Sequence, residues 1–335
     1  MKGKDVQNYF VKVLNGMALG LFASLIIGLI LKQIGVLTNI SLLVHFGKNA
    51  QFMMGPAIGA GVAYSIGASP LGIFASAVTG AIGAGTIKEV DGQYLVSIGE
   101  PVGALIAAFI GAECSKLIQG KTKVDIVLVP AVTIILGGFA GYFIAPFVSS
   151  MMTGLGKVIN SLTYIHPLPM GILMAVLMGI LLTLPISSAA LAISLSLGGL
   201  AAGASTVGCA CQMIGFAVIS FKDNRTGGFI AQGLGTSMLQ IGNIIKNPWI
   251  WLPPTIASAI LGPIATMLFK MENNRIGAGM GTSGLVGQFG TIDVMGTSGL
   301  TGIIMLHFIL PGILSYIIYK LLYKYGKIKD GDMKI

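Results

Sequence analysis

The chain has 335 residues, of which 54% are hydrophobic and 9% charged. Soluble domains carry about 25% charged residues, so this chain has too little charge to cover a water-facing surface. Its formal net charge of +9 gathers in short loops and at both ends, which excludes a nucleic-acid face and marks membrane-flanking segments instead.

The apolar runs are close to the roughly 20 residues that cross hydrocarbon as a helix. They lack the alternating ten-residue pattern of a membrane β-barrel. The fold class expected is therefore an all-α polytopic membrane protein in the plasma membrane. Lys2, Lys4 and Lys12 at one end and Lys320, Lys324, Lys327, Lys329 and Lys334 at the other place both termini in the cytoplasm, so the number of crossings is even. Residues 1–16 read as a cytoplasmic lead-in, 17–168 and 169–322 as two membrane halves, and 323–335 as a basic cytoplasmic tail.

Taken in order, spans are expected at 17–31, 52–66 and 71–87, the last two split at Ser69-Pro70. The first run follows a basic start without a small-residue cleavage site and reads as an anchor. A loop at 88–92 carries Glu89 and Asp91. Spans follow at 99–118 and 124–148, then a more polar stretch at 149–169 containing His166. A second series is expected at 170–184, 186–202 and 209–221. The stretch 227–245 is glycine-rich, and spans at 249–269 and 303–322 complete the chain. The order Met54-Gly55, Pro70, Gly85 is echoed by Met170-Gly171, Pro185, Gly203, and Leu128-Val129-Pro130 by Trp251-Leu252-Pro253. This predicts two pseudo-repeats, with about ten crossings and one glycine-rich piece re-entrant.

The stretch 276–302 organises the reading. Glycine recurs through it, and Thr282, Ser283, Gln288, Thr291, Asp293, Thr297 and Ser298 lie between. Interior glycines make a poor helix, at about 1 kcal/mol each relative to alanine. Irregular backbone survives at membrane depth only where protein buries it or a wet cavity adjoins it. The stretch is expected to be a broken or re-entrant element lining a polar site, with close small-residue helix packing as the alternative.

The residues expected to bind a substrate are Glu100, Glu113, Gln232, Ser237, Gln240, Asn243, Thr282, Ser283 and Gln288. A carboxylate in hydrocarbon is costly, which singles out Glu113, with an ion pair to Lys116 as the alternative. Glu100 beside Pro101 also suits an ordinary helix start. Amides donate and accept without fixed charge, which suits a neutral polyhydroxyl solute, and interhelical bonding is the alternative. On a helix, Gln232, Ser237 and Gln240 would share one face. His307 inside the last span reads first as a structural group. No catalytic residue, metal cluster or cofactor motif is expected. Cys114, Cys209 and Cys211 read as buried small side chains.

The strings LTLPISSAA (182–190), AQGLGTSM (231–238) and GMGTSGLVGQ (279–288) resemble the stand-alone IIC-type membrane proteins of the bacterial phosphotransferase system, and the resemblance covers most of the chain. It implies a sugar-translocating subunit. Gly99-Glu100-Pro101 matches the Glu-Pro part of a Thr-Glu-Pro sugar-contacting motif in glucose-type relatives. The phosphotransfer domains of that system are absent, so separate IIA and IIB proteins would supply phosphate. A homodimer in contact with membrane lipid is expected. The alternatives are a membrane-embedded sensor or lipid-binding protein of the same fold without transport, and an ion-coupled transporter using Glu113.

Overall fold

The computed structural model describes all residues except 1, 2, 91, 163, 164 and 196. Lys2 and Asp91, and the side chain of Lys4, lie outside the described residues. The chain forms two compact units, Met1–Met151 and Met152–Ile335. Among the described residues six helices are long and apolar enough to cross a bilayer, and two shorter apolar ones accompany them.

In the first unit, α1 (Gly3–Leu21) passes through a π turn, Phe22–Ile26, into α2 (Ile27–Leu37), and α3 (Ser41–Phe52) folds back on α2. Then α4 (Met54–Ser65) packs between α1 and α5 (Pro70–Ala84). The sequence punctuates α5 at both ends. Ser69 Oγ accepts from the Gly72 amide at 3.3 Å, Pro70 opens the helix, and Gly85 at φ 65° closes it. Of the acidic loop expected at 88–92, residues 88–90 belong to a strand, β1 (Ile87–Val90), which pairs antiparallel with β2 (Gln93–Val96), Ile87 opposite Val96. Next come α6 (Pro101–Ile118) and α7 (Asp125–Leu162). The latter has 38 residues and continues well past its apolar part, Asp125–Ile144. Much of the polar stretch expected at 149–169 is therefore helix. Polarity alone does not end a helix when no Pro or αL glycine interrupts it.

The second unit is built around α10 (Gly199–Ile219), which is rich in small and apolar residues and buried along almost its whole length. Such a helix belongs inside a bundle. Around it pack α8 (Pro167–Thr183), α13 (Leu252–Pro263) and α16 (Leu310–Lys324). The span expected at 186–202 is not one helix. It divides into α9 (Ser188–Ser194), of seven residues, and the start of α10, because Gly199 takes φ 58°. The small residues from Gly199 onward extend the helix that the sequence reading began at Cys209.

Beyond α10 the chain is repeatedly broken. Next come α11 (Phe221–Ile230), a π turn at Ala231–Gly235, extended Thr236, a 3-10 turn at Ser237–Gln240, and α12 (Ile241–Lys246). After α13 and its π extension, residues 269–282 form turns without regular helix. Then α14 (Val286–Met295), α15 (Leu300–Gly302) and a π segment, Ile303–Ile309, lead into α16.

The helices of this bundle touch through backbone. At Gly208 an added Cβ would collide with the carbonyl of Ala175 on α8, so only glycine allows this spacing. Gly208→Ala is expected to cost about 1–3 kcal/mol by overpacking. The readout is the temperature at which Cys209 and Cys211, both buried, become reactive to a thiol dye. Unchanged labelling would show that α8 and α10 do not rely on this approach.

Residues 323–335, read from sequence as a tail, pack onto the second unit. Ile328 and Met333 are each 1% exposed and join Phe216, Ile219, Ile244, Ile250 and Tyr319 in a core cluster. Lys222 Nζ meets Asp330 Oδ2 at 2.5 Å. That hydrogen bond holds the Asp330 carboxyl below the usual carboxylate range and the Lys222 ammonium above its own.

Candidate solute site

The two glycine-laced breaks of the second unit meet. Thr282 Oγ1 donates to the carbonyl of Gly233, which joins the turn at 276–285 to the π turn after α11. Gly281 makes room for this. At φ 53° it lies directly on the Cys209–Ala210 backbone of α10, where a Cβ would not fit. From the other side Ser188 Oγ donates to Gly279 O at 2.7 Å, and Ser205 Oγ donates to Ala278 O.

The entry to this second break is fixed by Asn273, 1% exposed. Its Nδ2 reaches Thr206 Oγ1 at 2.7 Å, Gly287 O at 2.9 Å and Thr291 Oγ1 at 3.1 Å, so it ties α10 to α14. Gln288, on α14, has Nε2 3.0 Å from His307 Nδ1. Three side-chain atoms here are buried without a partner: Ser283 Oγ, Gln288 Oε1 and His307 Nε2. Buried polar atoms are nearly always hydrogen-bonded, so such a group of exceptions calls for a physical reason.

At the first break, Gln232 Nε2 donates to Ser220 Oγ at 2.8 Å and to Gly228 O at 3.0 Å. Gln240 Nε2 donates to Gln232 Oε1 at 2.8 Å, and Asn243 Nδ2 donates to Gln240 Oε1 at 2.8 Å. The three amides thus form a ladder. Its outer rungs hold the C-terminal segment: Gln240 Nε2 also donates to Met333 O at 2.9 Å and Asn243 Nδ2 to Lys334 O at 3.0 Å. Ser237 leaves this ladder, because extended Thr236 rotates the chain before it. Its hydroxyl instead lies 2.8 Å from Thr183 Oγ1. Thr183 leads to Gln212 Oε1, which also accepts from Trp251 Nε1 at 3.1 Å, and Gln212 Nε2 donates to Thr255 Oγ1 at 3.0 Å.

Of the residues expected from sequence, Gln232, Ser237, Gln240, Asn243, Thr282, Ser283 and Gln288 lie in the second unit. Glu100 and Glu113 lie in the first. Glu113 pairs with Lys116 at 3.1 Å and accepts from the Tyr9 hydroxyl. Glu100 precedes Pro101 at the start of α6, with its backbone N–H on Ala84 O at 2.9 Å. Asp293 accepts from Asn274 Nδ2 at 3.0 Å. His166 caps α8. Thr183, Gln212, Asn273 and His307 were not among the expected binding residues. Gln212 was visible as a lone amide in an apolar run, the signal that singled out Gln232.

Helices of this length and apolarity, with buried amide and hydroxyl networks at helix breaks, define a multi-pass membrane protein. The chain belongs to the EIIC family of the phosphotransferase system, whose family model matches residues 11–335. No curated protein and no solved structure matches it. It is thus a phosphotransferase-type permease of the inner membrane.

Proposed function

We propose that the chain binds and translocates a sugar where the two breaks of the second unit meet. The observation that carries this reading is the trio of unpartnered buried atoms, Ser283 Oγ, Gln288 Oε1 and His307 Nε2. Each such atom costs about 1–3 kcal/mol when left unpaired. Sugar hydroxyls, which donate and accept, answer an amide oxygen, a hydroxyl and an imidazole nitrogen together. Thr282 and the Gln232 ladder keep the two breaks in register. The reading rests on the second unit's residues alone.

Phosphate comes from separate IIA- and IIB-type partners, because the family works with other components of that system. Each unit holds three helices that pack pairwise, α4, α5 and α6 in the first and α8, α10 and α13 in the second. This supports two pseudo-repeats. The six long apolar helices and two shorter ones, with α4 and the α11–α12 segment added, support about ten crossings. The basic ends support a cytoplasmic location for both termini. A homodimer completes the proposal.

The test is uptake of labelled sugars by proteoliposomes, with and without the phosphotransfer partners. Gln288→Leu is expected to weaken sugar binding about tenfold, the cost of one hydrogen bond to a buried amide. If folded wild-type protein takes up no sugar under either condition, the reading fails. If Gln288→Leu binds normally, the site lies elsewhere.

A further inference from the structure

One cavity of the second unit shares no lining residue with the proposed sugar site. It holds about 440 Å³ and is lined by Val218, Ile219, Phe221, Lys222, Arg225, Phe229, Tyr316, Tyr319 and Lys320. Three features distinguish it from an ordinary surface dent.

The first is charge. Lys222, Arg225 and Lys320 all face one opening. The acids nearest to them are already engaged. Asp330 is held by Lys222, and Asp223 accepts from the amides of Gly331 at 3.0 Å and Met333 at 3.3 Å. Among the described residues neither Arg225 nor Lys320 makes an ion pair. The second is backbone. Arg225 takes φ 54° and ψ −156° in the middle of α11. A non-glycine residue there is strained, and such strain gathers at functional sites.

The third is the wall. Phe221 and Phe229 meet edge-on at 6.0 Å, and Lys320 lies over the Tyr316 ring at 5.4 Å. From the cavity an exposed apolar stripe runs along α16 through Ile313, Tyr316 and Ile317. That spacing is one helical face. Over two turns the stripe passes from apolar side chains to Lys320, as a membrane passes from chains to headgroups.

We propose that this cavity seats the phosphate headgroup of an anionic phospholipid, with Arg225, Lys320 and Lys222 around the phosphate and an acyl chain along Ile313, Tyr316 and Ile317. The cavity is far larger than inorganic phosphate, and its apolar wall continues into the exposed stripe on α16, so the ligand is the lipid and not the free anion. Basic pockets between membrane helices recognise anionic headgroups in this way. The site is independent of sugar transport and stands or falls separately from it.

Native mass spectrometry of the full chain in detergent tests this, with phosphatidylglycerol, phosphatidylcholine and glycerol phosphate as probes. The wild type should retain phosphatidylglycerol in preference to phosphatidylcholine. Removing one cation should reduce that preference roughly fivefold, in Lys320→Gln or Arg225→Gln, and both together about 25-fold. Lys320 lies on an exposed helix face, so Lys320→Gln serves should Arg225→Gln not fold. Lys48→Gln, an exposed lysine in the first unit, should change nothing. Equal retention of the two lipids, or an undiminished preference in Lys320→Gln, overturns the proposal. Glycerol phosphate binding as tightly as the lipid also overturns it, by making this a soluble-anion site.

Discussion

Removing residues 326–335 is expected to destabilise the second unit by more than any point substitution proposed for it. The segment contributes two buried side chains, Ile328 and Met333, to the cluster around Phe216 and Tyr319. Truncating one buried Ile or Met to Ala costs about 2–5 kcal/mol. The segment is also held along its backbone. Asn224 Nδ2 donates to Met333 O at 2.7 Å, and the Ile335 amide returns to Asn224 Oδ1 at 2.9 Å. Asn247 Nδ2 reaches Lys327 O at 2.9 Å and Asp332 Oδ2 at 2.8 Å. Lys327 stacks on Trp249 at 4.8 Å. The Lys222–Asp330 pair is exposed and adds little, since surface pairs contribute about 0–1 kcal/mol. The dominant loss is the apolar burial. Met333→Ala alone should lower stability by about 2–5 kcal/mol, and the deletion by more. The readout is the temperature at which Cys209 and Cys211 become accessible to a thiol dye in detergent. A deletion variant that labels at the same temperature as the full chain would show that the segment rests on the unit without stabilising it.

That docking was hidden in the sequence for a physical reason. Ile328 and Met333 lie among Lys327, Lys329, Asp330, Asp332 and Lys334, so composition makes 323–335 look solvated. The carbonyls of Met333 and Lys334 are held by amides about 90 residues away, Gln240 and Asn243. No local period records a contact of that separation. The membrane class, by contrast, needed only composition, and the helix starts at Pro70 and Pro101 were marked by their own prolines. The two breaks were legible because glycine weakens helix wherever it clusters. Which way each polar side chain turns was not legible. Gln232 and Gln240 share a ladder as an unbroken helix would predict, yet Ser237 departs from it. Thr236, one residue earlier, has φ −160° and ψ 143°, and only coordinates reveal such a step. Gln288 was chosen for its amide. Its partner His307 comes 19 residues later, across α15 and a π segment that no helical wheel spans.

Asn273→Leu is expected to abolish sugar uptake while leaving the bundle folded. Read from sequence, Asn273 falls in a polar loop between Glu272 and Arg275. In the structure it is buried and is the main polar tie between α10 and the second break. Its amide is the donor to Gly287 O at 2.9 Å, and its Oδ1 accepts from the Asn274 amide at 2.8 Å. Leucine has similar volume but leaves both backbone groups without those partners. Gly287 O keeps Thr291 Oγ1 as a donor at 3.1 Å, so the turn at 276–285 loses the net worth of the two amide bonds, about 1–3 kcal/mol of restraint. The helices around α10 keep their apolar packing, so the loss is local. Ser283 and Gln288 are positioned by this turn and by α14, so sugar binding should fall by at least tenfold, the equivalent of about 1.4 kcal/mol. Thr291→Val is the control. It removes one of the three acceptors that Asn273 Nδ2 reaches and leaves Thr206 and Gly287 in place, so uptake should drop little. Isothermal titration with sugar, alongside thiol-dye melting, separates the two effects. Normal binding by Asn273→Leu would mean that the sugar does not depend on the second break. Equal losses in Asn273→Leu and Thr291→Val would mean that α14 is held by another contact.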